Sequence, residues 1–303
     1  MTDPAVPQQL PAPIPAPIPA PAGAVSTPAP PYRFVVADDL ATWSTAEQAG
    51  SLLALPQEAR LAAWERLGAD GCAVVVICSP KQAGPIRRDS ALARVGADTR
   101  IIVLPLAVGP LAQLVGARIG QTLIAAGLDR PVSELVVSLP ELVGSLLDVA
   151  LVRSVTSLDL PGIKLGHHLL SYLPGNRRFA VQITPVGQVV RRDRAGDLRA
   201  DLAPPGFDPA FGALLTVLGP RPVPPRLLEQ CGIVDQPVID QAQLDLPGYW
   251  HDPEATEVVV RPADLVGWVL SQLPALERWP CAWCAEPMAA PMVLCPFCGH
   301  ARR

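Results

Sequence analysis

Across residues 32–155 the apolar positions form continuous runs set between stretches of helical period. Tyr32 to Ala37 is a short apolar run closed by Asp38-Asp39, and it predicts a strand. Ser44 followed by Glu47 has the form of a capping box, in which hydroxyl and carboxylate satisfy two backbone donors. A helix is expected from there to about Leu55. Pro56 then opens a second helix, Gln57 to Leu67, which stops near Gly68 and Gly71. Cys72 to Cys78 is apolar without alternation and ends at Ser79-Pro80, the pattern of a strand buried on both faces. Residues 80–98 read as a linker. Thr99 to Leu104 predicts another strand, and Leu111 to Ala126 a helix stopped by Gly127. Leu135 to Val137 reads as a further short strand and Leu142 to Val152 as a helix.

Beyond this the pattern changes. Phe179 to Thr184 alternates, Pro185 to Gly187 turns, and Gln188 to Arg191 continues, which predicts an antiparallel hairpin or a sheet edge. Pro204-Pro205, and four prolines between Pro220 and Pro225, mark loops or a boundary. Asp208 to Leu218 reads as a short helix, Glu257 to Val260 as a strand, and Ala263 to Leu273 as a helix with Asp264 in its first turn. Unalternated runs separated by helices argue an α/β fold, a partly parallel sheet with flanking helices. The expected organisation is a disordered proline-rich arm over 1–31 and an α/β body over 32–202. A proline-punctuated acidic α+β segment over 203–278 and a metal-binding tail over 279–303 complete it.

Composition adjusts this picture at three points. The arm carries proline at nearly every second position from Pro11 to Pro21, which excludes a helix or a central strand and favours solvated polyproline II. It is read as a spacer, with a docking ligand for an aromatic groove as the sharper alternative. The net charge of −4 argues against wholesale coating of nucleic acid. Two apolar stretches, Ile101 to Ala117 and Leu135 to Val152, are interrupted by proline or carry Glu141 and Asp148, so both read as buried rather than membrane-spanning. With no basic-then-apolar leader and with cysteines paired at metal spacing, a reducing, cytoplasmic setting is expected.

The most specific motif lies at the C-terminus. Cys281-Ala-Trp-Cys284 is followed after ten residues by Cys295-Pro-Phe-Cys298-Gly299-His300. Two intervening residues let one tight turn present both thiolates to one ion, and two such turns complete a tetrahedron. The segment resembles the zinc-ribbon and rubredoxin-like class, whose second knuckle often reads Cys-Pro-x-Cys-Gly. It departs from that class at Ala285, where glycine is common. The resemblance covers about 20 residues and implies structural zinc held by Cys281, Cys284, Cys295 and Cys298, with His300 spare. Iron in the same frame and dithiol redox chemistry are the alternatives. Trp279 and Trp283 flank or enter the first knuckle, either packing it on the acidic segment or offering a partner surface.

The body carries no decisive motif. Walker, dinucleotide-fingerprint and nucleophile-elbow patterns are absent, and Gly116-Ala-Arg118-Ile-Gly120 falls inside a predicted helix. Asp38 and Asp39 sit where α/β folds place ligands, at a strand's carboxyl end, with Asp89 a possible companion. Lys164, His167, Arg177 and Arg178 could line an anion site, the last two delivered by Pro174-Gly175-Asn176. Arg191, Arg192 and Arg194 centre a basic run that could meet nucleic-acid phosphates or the acidic 228–279 region, within the chain or in a second copy. Cys72, Cys78 and Cys231 read as buried inert thiols. The expected role is a non-catalytic interaction or scaffold protein with a structural zinc ribbon and a protein partner or self-association. An enzyme handling phosphate or metal near Asp38, Asp39 and residues 164–178, and a nucleic-acid-associated regulator using the arginine run, are the alternatives.

Overall fold

The computed structural model describes residues 32–43, 51–69, 71–96, 100–126, 132–158, 163–172, 179–191, 206–233, 237–273, 276–290 and 292–301. The proline-rich arm, the capping box at Ser44 and Glu47, and the arginine run beyond 191 lie outside them. In chain order the first half holds β1 (Tyr32–Val36), α1 (Leu40–Trp43), α2 (Gln57–Gly68), β2 (Ala73–Cys78), α3 (Pro80–Gly96), β3 (Ile101–Pro105), α4 (Pro110–Ala125), α5 (Val132–Gly144) and β4 (Leu147–Val152). The second half holds α6 (Leu165–Tyr172), β5 (Phe179–Thr184), β6 (Gln188–Arg191), β7 (Leu214–Leu218), α7 (Pro225–Gln230), β8 (Val238–Ile239), α8 (Leu246–Trp250), β9 (Thr256–Arg261), α9 (Leu265–Gln272), β10 (Arg278–Pro280) and β11 (Pro287–Ala289).

The strands form two main sheets and a small hairpin. β1, β2 and β3 are parallel in that order, with Val35 opposite Val76 and Val76 opposite Val103. Every residue of β2 is buried, because both of its faces are covered. Val74, Val76 and Cys78 join a cluster with Trp43, Trp64 and Ile86 from α1, α2 and α3; the two indoles meet edge to face at 5.1 Å. Ala73, Val75 and Ile77 point the other way, toward α4 and α5. The second sheet has six strands in the order β6-β5-β4-β9-β7-β8, antiparallel except for β7 and β8. Its central strands, β4 and β9, are buried almost throughout. Strands from residues 147–191 and from the acidic 214–261 stretch therefore share one sheet.

Helix α4 lies between the two sheets, against β1, β2 and β9. Two glycines let it approach closely. A Cβ at Gly116 would meet Val143 Cγ2 at 2.9 Å, and one at Gly120 would meet the Phe34 ring at 2.7 Å.

Several local expectations are corrected. Leu135 to Val137 is not a strand but lies inside α5, and Leu142 to Val152 is not one helix but the end of α5 followed by β4. β4 is buried at every position, which erases the alternation that marks a strand, and Pro140 inside α5 interrupts its helical reading. Residues 80–96 form α3 rather than a linker; two prolines and few apolar positions hide it. Asp89 is thus helical, and it pairs with Arg60 at 2.5 Å. Asp208 to Leu218 is a short 3-10 turn over Pro209–Phe211 and then β7, separated by Gly212 at φ 61°.

The first turn of α4 holds the sheets together chemically. Gly109 N–H donates to Asp148 Oδ2 at 2.7 Å, and Leu111 and Ala112 N–H donate to Glu257 Oε1 at 2.8 and 3.2 Å. Trp250 Nε1 donates to Glu257 Oε2 at 3.2 Å. Asp148 stands on β4 and Glu257 on β9, and both are fully buried. Burial pushes the Asp148 carboxyl up to about 7, against the pull of the Gly109 N–H. Burial, reinforced by the charge of Asp148, raises Glu257 well above the usual range. Two such carboxyls cannot both ionise cheaply, so the pair retains a proton near neutrality. An acid raised on folding stabilises the fold fully below its unfolded pKa and loses that contribution as pH rises toward the folded one. Thermal melts of wild type and Asp148→Asn should therefore diverge in the variant's favour as pH climbs from about 4 to about 7. A gap that stays constant over this window would contradict the shared-proton account.

Candidate metal centre and ligand cavity

The two cysteine knuckles are built alike. Ala285 N–H donates to Cys281 O at 2.9 Å, and Gly299 N–H to Cys295 O at 2.8 Å. Cys281 N–H donates to Glu286 O and Cys295 N–H to His300 O, each at 2.9 Å. The residue after each second cysteine is left-handed, Ala285 at φ 58° and Gly299 at φ 73°. The position where the sequence departs from the glycine pattern therefore keeps the backbone that glycine would supply, at a strain of about 1 kcal/mol. Cys281 and Cys298 Sγ lie 3.6 Å apart, as do those of Cys284 and Cys295, and all four sulfurs lie within 4.8 Å of one another. A tetrahedron with metal–sulfur bonds of about 2.3 Å has edges of roughly 3.8 Å, so the four thiols fit one ion. N–H groups of Cys284 and Trp283 hold the Cys281 thiol down to about 6. Burial pushes Cys284 up to about 11 and Cys295 up to about 12, a conflict that a bound cation would relieve. His300 is not in the cluster; it stacks on Trp283 with ring centroids 5.7 Å apart.

The knuckles are fastened to the body by polar contacts. Glu286 takes an ion pair from Arg100 and a 3.3 Å hydrogen bond from Tyr32 Oη, so it touches the starts of β1 and β3. Arg278 meets Glu134 at 2.8 Å, and Ser133 Oγ donates to Pro287 O at 2.8 Å, which ties β10 and β11 to the first turn of α5. Tyr32 and Phe297 rings pack at 6.1 Å. Trp279 is half-buried on β10, opposite Met288. Trp283 is 76% exposed.

A cavity of about 470 Å³ opens at the other end of the parallel sheet, where β2 and β3 finish. Pro80, Ala107, Leu158, Ile183, Tyr249 and Trp250 give it apolar walls. Ser79, Lys81, Gln82, Ser157 and His251 supply its polar groups, and no carboxylate of the described residues lines it. Its wall on α8 is anchored twice: Tyr249 Oη donates to Val108 O at 3.2 Å, and Trp250 is held by Glu257. His251 ends α8 in the left-handed region at φ 51°. Ser79 and Gln82 have the Ser-x-x-Gln spacing of a capping box, a signal that α3 begins there. Nothing local marks the remaining lining residues, which come from four distant stretches of chain.

The polar residues singled out in the sequence lie apart. Asp38 is buried and accepts from Gln82 Nε2 at 2.8 Å; burial, only partly offset by that bond, raises its carboxyl to about 6. Asp39 caps α1, accepting from Ala41 N–H and Thr42 Oγ1. His167 Nδ1 accepts from Lys164 N–H at 3.1 Å, and burial, then the charges of Lys164 and His168, lower its pKa. No hydrogen bond or ion pair joins Asp38 or Asp39 to His167 among the described residues. Arg177, Arg178, Arg192 and Arg194 lie outside those residues; Arg191 ends β6. Gly116 and Gly120 pack within α4. Cys78 and Cys231 are buried thiols pushed up to about 12 and about 11 by desolvation, and Cys72 is buried too.

No known family profile matches the sequence, and no curated protein matches it. Solved structures do align. A DegV family protein from Eubacterium eligens loaded with heptadecanoic acid aligns at 10% identity and a TM-score of 0.46, over 76% of this chain and 99% of that one. A DegV lipid-binding protein from Thermotoga maritima aligns at 10% identity and 0.46, over 77% and 98%. DegV, a fatty-acid-binding protein from Bacillus subtilis, aligns at 15% identity and 0.41, over 70% and 78%. Likeness of this order carries no argument about ligand or role. No helix among the described residues is long and apolar enough to cross a membrane.

Metal at the knuckles should be measurable directly. Purified protein should hold one ion per chain by elemental analysis, and Cys284→Ser should lose it. Removing it with a chelator should lower the melting temperature and leave the knuckles protease-sensitive, because so small a fold has no core of its own. A full melting temperature after complete metal removal would contradict a bracing role.

Proposed function

We propose that this is a non-catalytic binding protein. Its cavity takes an amphipathic small molecule, and its tail is a structural zinc centre that braces the body. The observation that carries this reading is the cavity itself: an open-mouthed pocket with largely apolar walls and a polar side, at the carboxyl edge of a parallel sheet. Ser79, Gln82, Ser157 and His251 offer hydrogen-bonding groups at one part of its lining, which favours a ligand with one polar end. Zinc suits four thiolates, and four protein ligands leave it no open position for catalysis. Dodecanoate, a single-chain carboxylate, should bind one per chain and alter tryptophan fluorescence. Ala107→Trp, at the exposed rim, should weaken binding at least about tenfold by filling the cavity, with little change in stability. Equal binding by wild type and variant would place the ligand elsewhere.

The exposed Trp283, with Val293 and Leu294 70% and 57% exposed on the same knuckles, favours a second role as a contact surface for a protein partner. Trp283→Ser should abolish a complex recovered with the wild type while leaving metal content and melting temperature unchanged. A complex that survives the substitution removes this role.

A further inference from the structure

One residue of the cavity wall stands in a conformation that its own side chain makes costly. His251 closes α8 at φ 51° and ψ 34°, the left-handed region that few residues other than glycine adopt. A glycine would make the same turn without that cost, so the turn has no need of the imidazole. His251 lines the cavity and is exposed, which puts it at the open side. No hydrogen bond engages its ring among the described residues.

Its two neighbours are held from other elements. Trp250, 1% exposed, donates to Glu257 on β9 at 3.2 Å. Asp252, 4% exposed, accepts from Arg153 N–H at 2.6 Å, where the chain leaves β4, and from Glu254 N–H at 3.0 Å. Its Oδ2 also meets Arg221 Nη2 at 3.2 Å, and buried Arg221 donates in turn to Leu151 O on β4 at 3.2 Å. The backbone at 251 is therefore fixed from both sides, and the imidazole is the part left unengaged. A polar group on rigid supports beside an apolar cavity loses little freedom when a ligand arrives.

We infer that His251 recognises the polar end of the cavity's ligand, donating a ring N–H to an acceptor oxygen there. The inference rests on the cavity-binding reading. Imidazole carries at least one N–H whether neutral or charged, so the donor is present in either state. A hydrogen bond to a charged oxygen is stronger than one to a neutral oxygen, so His251 favours a carboxylate over an alcohol of the same chain length.

Titration with dodecanoate and with 1-dodecanol, followed by tryptophan fluorescence beside a thermal melt of each protein, tests this. His251→Gly should weaken dodecanoate binding about tenfold and 1-dodecanol binding about threefold or less. Its melting temperature should be at or above that of wild type, because the left-handed strain is gone. His251→Ala keeps the strain and removes the ring. It should show the same two losses of affinity and melt below His251→Gly. Wild-type affinity for dodecanoate in His251→Gly, or equal losses for the two ligands, would overturn the inference and leave the cavity reading standing. A loss confined to His251→Ala would do the same, since it would follow the backbone and not the ring. A wild type that binds neither ligand would overturn the cavity reading and the inference with it.

Discussion

The first turn of α4 is the point on which both sheets depend. Its backbone N–H groups would be left unpaired in a dry interior, and side chains from two different strands satisfy them. Asp148 and Glu257 are brought side by side because β4 and β9 are antiparallel neighbours. They hold the positive end of a 16-residue helix that packs along the parallel sheet. One cluster of hydrogen bonds therefore sets how the two sheets are spaced. It also fixes Trp250, and with it one wall of the cavity.

The parallel sheet then has a division of labour along its strands. Its amino end meets the cysteine knuckles, where Glu286 engages Tyr32 and Arg100. Its carboxyl end opens into the cavity, where Ser79 and Ala107 follow β2 and β3. A closed tetrathiolate centre suits the first end, since it adds rigidity and no reactive position. The second end has the features of recognition: side chains from several segments, a left-handed His251, and a buried carboxylate oxygen left without a partner. Asp38, which the sequence placed at a strand end, belongs to this second end by way of Gln82 rather than by pairing with Asp39 or His167.

Much of the first half was legible residue by residue. β1, β2 and β3, α2 and α4 lie within one or two residues of their expected limits, because each has a sharp stop at glycine, proline or aspartate. The 179–191 hairpin was legible because Phe179, Val181 and Ile183 alternate with smaller or polar residues before the Pro185–Gly187 turn. β4 was not, since burial of every position removes the alternation, and α5 was not, since Pro140 lies inside it. α3 was concealed by Pro80 and Pro85.

What the sequence determined by itself is the chemistry that needs only local spacing. Four cysteines in two short turns define a cluster able to hold a metal ion because each turn presents its own pair of sulfurs, whatever the rest of the chain does. The cavity and the carboxyl pair are of the other kind. Asp148 and Glu257 are more than 100 positions apart, and Ser79, Leu158, Ile183 and Trp250 come from separate elements. Their meaning arises only when β4 pairs with β9 and α4 is enclosed between the sheets. Burial then turns ordinary acids into a proton-sharing pair and ordinary apolar residues into walls, and no local pattern encodes a desolvation that distant segments impose.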